Sequence, residues 1–155
     1  MLMLMLVLGI VGLTACGLAK PMPPFDSFAH RISDGTVSLY WNCSRPAPGG
    51  VRVEGWANNP DSPQPINDLA FILYGVNAQE STVSQAKASA KAYLIQTNEP
   101  TTFTIDLKTV GAEVRFDLVY EYWGSGDDGM GRRGGGGESR RQQNMARDVC
   151  AGLAP

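Results

Sequence analysis

Glu113–Trp123 reads Glu-Val-Arg-Phe-Asp-Leu-Val-Tyr-Glu-Tyr-Trp. Val114, Phe116, Leu118, Tyr120 and Tyr122 fall on every second position, with Arg115, Asp117 and Glu121 between them. Side chains of a strand point alternately to its two faces, so this spacing predicts a long strand with one face in a core. The stretch decides the fold because its neighbours repeat the pattern. In Thr101–Leu107, Phe103, Ile105 and Leu107 point one way. In Thr36–Cys43, Val37, Leu39, Trp41 and Cys43 share a face, with Ser38, Tyr40 and Asn42 on the other. Val51–Ala57 is a further strand. Ile66–Tyr74 is apolar on both faces toward its end, as a central strand would be.

The segments between these runs are turns by composition. Ser44–Gly50 and Asn58–Pro65 are rich in Pro, Gly, Asn and Ser, and Asn98–Pro100 supplies a third break. Ala78–Ile95 is ambiguous. Ala86, Ala88, Ala90 and Ala92 alternate strictly, yet alanine is the best helix former and Lys87 and Lys91 are spaced i,i+4. Strands on either side favour strand here too. Gly124–Gln143 has no apolar periodicity and is expected as a long loop, with Asn144–Cys150 as a returning last strand. Short strands at regular spacing with turns between them predict an all-β chain folded as an antiparallel β-sandwich of about seven strands.

The chain has 155 residues, enough for one domain with a core. Lys and Arg number 13 against 15 Asp and Glu, a formal net charge of -2, which argues against a general nucleic-acid binder. Met1–Leu13 carries no charge and matches a signal-peptide apolar region in length. Leu13-Thr14-Ala15-Cys16 follows, and it resembles the bacterial lipobox at all four positions. That resemblance implies lipidation of Cys16 and cleavage just before it. Residues 1–15 would be the signal peptide, and residues 16–33 a lipidated tether made extended by Pro21, Pro23 and Pro24. Residues 34–155 would be the sandwich domain. No Lys or Arg precedes Lys20, as expected if the true start lies upstream of Met1. An uncleaved membrane helix running to Ala19 is the alternative. Gly17, in place of the Asp that commonly retains lipoproteins at the inner membrane, favours the outer membrane facing the periplasm if the source is didermal.

With Cys16 assigned to lipid, Cys43 and Cys150 remain as a pair. An exported protein meets an oxidising compartment, so a disulfide between them is expected, with two buried free thiols as the alternative. Two cysteines and one histidine do not complete a structural zinc site.

A second resemblance lies in the body. Val53-Glu54-Gly55-Trp56-Ala57-Asn58, Phe71-Ile72-Leu73-Tyr74-Gly75 and Thr102-Phe103-Thr104-Ile105 are similar to motifs of small immunoglobulin-like domains of the FxLYD type and their water-stress (WHy-like) relatives. Gly75 stands where those domains usually have Asp. Over residues 51–122 the resemblance implies a seven-stranded immunoglobulin-like sandwich on an exported or anchored protein, with no catalytic site.

Few residues offer chemistry of their own. His30 lies in the expected tether with no Ser or Cys near it, and reads as a surface residue. Asp127 and Asp128 lack EF-hand spacing, so no metal is expected. No cofactor is implied, since Gly-rich sequence without a following Gly-Lys-Ser/Thr is not a P-loop. Arg132, Arg133, Arg140 and Arg141 resemble Arg/Gly segments that bind RNA, but no aromatic is interleaved. They are candidates for contact with anionic lipid or an envelope polyanion, against the simpler reading of a solvated loop. Trp41 reads as core; Trp56 and Trp123 are expected either exposed for a partner or covered. The resulting expectation is a lipid-anchored binding or scaffolding lipoprotein of the bacterial cell envelope, not an enzyme. Its partners would be the membrane, through Cys16, and a protein or envelope polymer. A polyanion-binding module and a small envelope enzyme or enzyme accessory are the alternatives.

Overall fold

Alternation becomes pairing in the computed structural model, which describes residues 24–125 and 139–153. After a 3-10 turn at Phe25–Ser27 come β1 (His30–Ser33), β2 (Ser38–Ser44), β3 (Gly50–Asn58), β4 (Ile66–Asn77) and β5 (Thr82–Ser89). The short β6 (Leu94–Ile95), β7 (Thr101–Lys108), β8 (Glu113–Ser125) and β9 (Ser139–Ala146) complete the order. One sheet runs β1-β2-β3-β7 and the other β5-β4-β8-β9, with β6 also on β4. All named pairs are antiparallel, and the sheets stack as an immunoglobulin-like β-sandwich.

The inward faces are those the alternation marks. Val51, Val53 and Ala57 of β3 meet Phe103, Ile105 and Leu107 of β7 on one side and Leu39 and Trp41 of β2 on the other. From the second sheet come Phe71 and Leu73 of β4 and Phe116, Leu118, Tyr120 and Tyr122 of β8, all buried. Phe71 and Phe103 stack across the gap with centroids 4.3 Å apart, so the two sheets meet at an aromatic pair. Such a buried ring contributes about 2–3 kcal/mol by area alone. Gly55 faces this core between Trp41 and Phe103; a Cβ there would lie 2.0 Å from the Tyr40 carbonyl oxygen. Only glycine permits that approach.

The ambiguous alanine stretch is strand over Thr82–Ser89. Ala86, Ala88 and Ala90 pack against the core, which a period of two achieves and a helical period would not. The chain then bridges the sheets: the Ala90 N–H donates to Leu69 O of β4, and the Lys91 N–H to Thr102 O of β7. Tertiary pairing thus overrides alanine's helix propensity.

Gly75, the departure from the FxLYD pattern, also has a steric reason. The Ser84 hydroxyl donates to Glu113 at 2.6 Å across β4. A Cβ on Gly75 would stand 2.2 Å from Ser84 Oγ and 2.5 Å from Glu113 Cγ. An Asp at this position would break that bridge.

Four expectations are corrected. The tether does not extend through residue 33: His30–Ser33 pairs with β2 and Ile32 packs on the core, so the effect of the prolines ends near Pro24. The expected loop 124–143 is shorter at both ends, because Gly124–Ser125 ends β8 and residues 139–143 belong to β9. An edge strand needs a ladder partner on one side only, so polarity alone did not mark it. The last strand stops at Ala146 rather than Cys150, where Asp148 at φ 50° turns the chain. Val114, expected inward, is 65% exposed, because the register shifts where Val76 and Asn77 of β4 pair with Arg115 and Glu113 and leaves it unpaired between them.

Cys43 and Cys150 are joined by a disulfide, Cα–Cα 5.5 Å. Cys150 sits in the turn after β9. There the Val149 carbonyl accepts the Trp41 indole N–H at 2.7 Å, and the Val149 N–H donates to Phe116 O at 2.8 Å. The C-terminal turn is therefore bonded to both sheets. His30 stacks on Trp41, centroids 5.6 Å apart, and is no free tether residue.

Candidate functional site

The turn between β1 and β2 contains Asp34-Gly35, and Gly35 takes a φ of 90° that glycine tolerates. Asp34 Oδ1 accepts the N–H groups of Thr36 at 2.9 Å and Val37 at 2.8 Å, which fixes the turn. Its Oδ2 reaches across to the second sheet. It accepts the hydroxyls of Tyr122 at 3.1 Å and Tyr120 at 3.3 Å and the Asn144 amide at 2.8 Å. One carboxylate thus ties the first sheet to β8 and β9. Tyr120 and Tyr122 both reach it because residues two apart share a strand face.

The environment holds both phenols protonated. Burial, then the charge of Asp34, raises Tyr122 to about 12 and Tyr120 further still. A phenol that stays neutral remains a donor to the carboxylate.

Asp34 forms one wall of an open cleft of about 250 Å³ at the end of the sandwich. The opposite wall is the β3–β4 loop, with Ser62, Gln64 and Pro65. That loop is locked by Asn59, which is fully buried: its amide donates to Gln64 O at 2.9 Å and its Oδ1 accepts Ser62 N–H at 3.1 Å. Thr97 adds a hydroxyl donation to Ser62 O at 2.7 Å. Gln142 and Asn144 of β9 close the third side. Among the described residues, the side-chain amides of Gln64 and Gln142 make no hydrogen bond. The cleft therefore presents polar groups with spare capacity on walls held by the loop and by β9.

Of the residues singled out by sequence as candidate sites, none that is described lines the cleft. Cys16, Arg132 and Arg133 fall outside the described residues. Arg141 points to the outer face of the second sheet, away from Gln142 and Asn144. There it pairs with Glu121 and its guanidinium carbon lies 6.0 Å from the Trp123 ring centroid. Arg140 is exposed. Trp123 is 38% exposed and Trp56 half-buried, while Trp41 is core. No group of three His, Cys, Asp or Glu able to hold a metal occurs among the described residues. No helix among them is long and apolar enough to cross a membrane.

Sequence reasoning placed Asp34 at a domain boundary and Tyr122 in the core, without joining them. The signal available was the Asp-Gly turn ahead of a strand and two tyrosines two apart. Gln64, Gln142 and Asn144 carried none, since amides in polar segments are ordinary surface residues.

Comparison with known proteins bears on the fold. No family model matches the chain, and no curated protein matches it either. Among solved structures, the GAE domain of GGA2p from Saccharomyces cerevisiae aligns with a TM-score of 0.50 at 12% identity. The alignment covers 80% of this chain and 99% of that one. The yeast GGA1 GAE domain aligns with the same TM-score and identity over 76% of this chain and 96% of its own. At that identity the likeness shows the immunoglobulin-like sandwich alone.

Proposed function

We propose that the protein is a lipid-anchored, extracytoplasmic binding lipoprotein of a bacterial envelope, attached through Cys16 and acting without catalysis. The observation that carries this reading is the Cys43–Cys150 disulfide. The chain has three cysteines, so that bond leaves Cys16 as the one outside the pair, at the lipobox position. A disulfide suits an exported protein. Two or more acyl chains on Cys16 would give stable anchoring, at about 0.8 kcal/mol per buried methylene. The FxLYD-type resemblance adds that such sandwiches belong to anchored proteins. Binding is favoured over catalysis by the state of the cleft: Asp34 is occupied by five donors, and the phenols beside it stay protonated. Polyanion contact through the arginines has less support, because Arg141 is already paired with Glu121.

Radiolabelled palmitate fed to a bacterial host expressing the full chain tests the anchor. Label is expected on the wild type and none on Cys16→Ala, which should leave the membrane fraction. An unlabelled wild type overturns the proposal.

A further inference from the structure

We infer that the cleft between Asp34, the β3–β4 loop and β9 binds one unit of a neutral polyhydroxylated ligand, a sugar. The inference rests on the reading of this protein as a binding lipoprotein and adds the class of its ligand.

Charge narrows the choice first. Among the described residues, the cleft lining contains no Lys, Arg or His, and its one carboxylate is Asp34. An anion would find no countercharge there and would face a carboxylate. A cation fares little better by contact. A carboxylate has about four lone-pair sites, and Asp34 already accepts five hydrogen bonds from the protein. An ammonium or metal ion would have to displace donors that hold the two sheets together. Calcium needs six or more oxygen ligands, usually from several carboxylates.

What the protein leaves unfilled is neutral and two-sided. The amides of Gln64 and Gln142 each offer two donors and an acceptor. Asn144 gives its N–H to Asp34 and keeps its carbonyl oxygen for another partner. A ring carrying adjacent hydroxyls, each both donor and acceptor, satisfies such a set; a ligand with only acceptors or only donors does not. Pro65 supplies an apolar wall for the ring's C–H face. The volume, about 250 Å³, lies just below the usual range for drug-sized ligands and suits one sugar unit rather than a larger molecule.

The walls are also preorganised. Asn59 and Thr97 hold the loop. The ladder to β8 holds Gln142 opposite Tyr122 and Asn144 opposite Tyr120. Binding then orders little beyond two glutamine side chains, so a small ligand can be held without a large ordering cost.

The test is a titration of the full-length protein in detergent micelles, following side-chain amide signals by two-dimensional NMR. The probes are glucose, galactose and N-acetylglucosamine, with inorganic phosphate and calcium chloride as separate arms. Saturable shifts of the Gln64, Gln142 and Asn144 amides are expected with at least one sugar in the millimolar range, and none with phosphate or calcium. Gln64→Ala with Gln142→Ala should weaken sugar binding tenfold or more. Neither amide is bonded among the described residues, so the spectrum of the double variant should stay dispersed. Each single variant, expected to weaken binding less, repeats the test should the double variant lose dispersion. No shift with all three sugars, shifts with phosphate or calcium instead, or undiminished sugar binding by the variants would each overturn the inference. Palmitate labelling is read separately, so failure of the sugar titration and failure of the anchor are distinguishable.

Discussion

β8 is fastened to the first sheet at two places by different chemistry. Near its start, Phe116 receives the C-terminal turn, which the Cys43–Cys150 bond ties to β2. Near its end, Tyr120 and Tyr122 donate to Asp34 in the β1–β2 turn. The two points are roughly 13–20 Å apart along the strand. The first fastening is covalent, with Val149 and Cys150 buried and Cys43 half-buried. The second is made of hydrogen bonds beside an open cleft. A covalent tie resists protons and yields to reductant; a carboxylate hub does the opposite. The difference shows how one sandwich can keep one end closed and leave polar groups open to a ligand at the other.

Breaking the covalent fastening should have the largest effect. The bond closes a loop with a sequence separation of 107, and chain entropy places its contribution near 4–5 kcal/mol. Cys43→Ala with Cys150→Ala should lower the urea midpoint accordingly, and wild type in reductant should behave likewise. A midpoint unchanged by both would remove the disulfide from the account of stability.

Asp34→Ala attacks the other end. It leaves two buried phenol hydroxyls without their acceptor and frees the turn, at a cost of about 3 kcal/mol. Its distinguishing sign is that the loss should be the same with and without reductant. A loss seen only in reduced protein would mean that the two fastenings are not independent.

The smallest of the three effects is set by alkali. Tyr122 is pushed up to about 12 in the fold, from its ordinary value near 10, first by burial and then by Asp34. A raised phenol favours the protonated native state. Its contribution is complete below pH 10 and falls as pH climbs toward 12, because the unfolded chain releases its proton first. Denaturation midpoints measured between those pH values should decline, and less steeply in Tyr122→Phe. The variant should itself lose about 1.5 kcal/mol at neutral pH, having given up one hydrogen bond to a charged acceptor.

Much of the fold could be read before the structure was seen, for a physical reason. The inward faces of β7 from Phe103 to Leu107 and of β8 from Phe116 to Tyr122 follow a strict period of two in large apolar residues, and burial enforces it. The alanine run Ala86–Ala90 was readable only through its neighbours, because its local propensity points to helix. Two edge strands were the weak point. β1 and β9 hold few apolar residues, so their pairing leaves little mark on composition. The cleft was least readable of all. Asp34, Gln64, Tyr122 and Asn144 come from four separate segments, and only the sandwich brings them together. The two cysteines were easier: a covalent pair can be found by counting, whereas a cluster of neutral amides cannot.

The most direct test of the account is mass spectrometry of the protein purified from membranes without reductant. It should give an N-terminal peptide beginning at Cys16 that carries a diacylglycerol, together with a peptide in which Cys43 is joined to Cys150. An unmodified Cys16, or Cys43 and Cys150 free to alkylate, would contradict it.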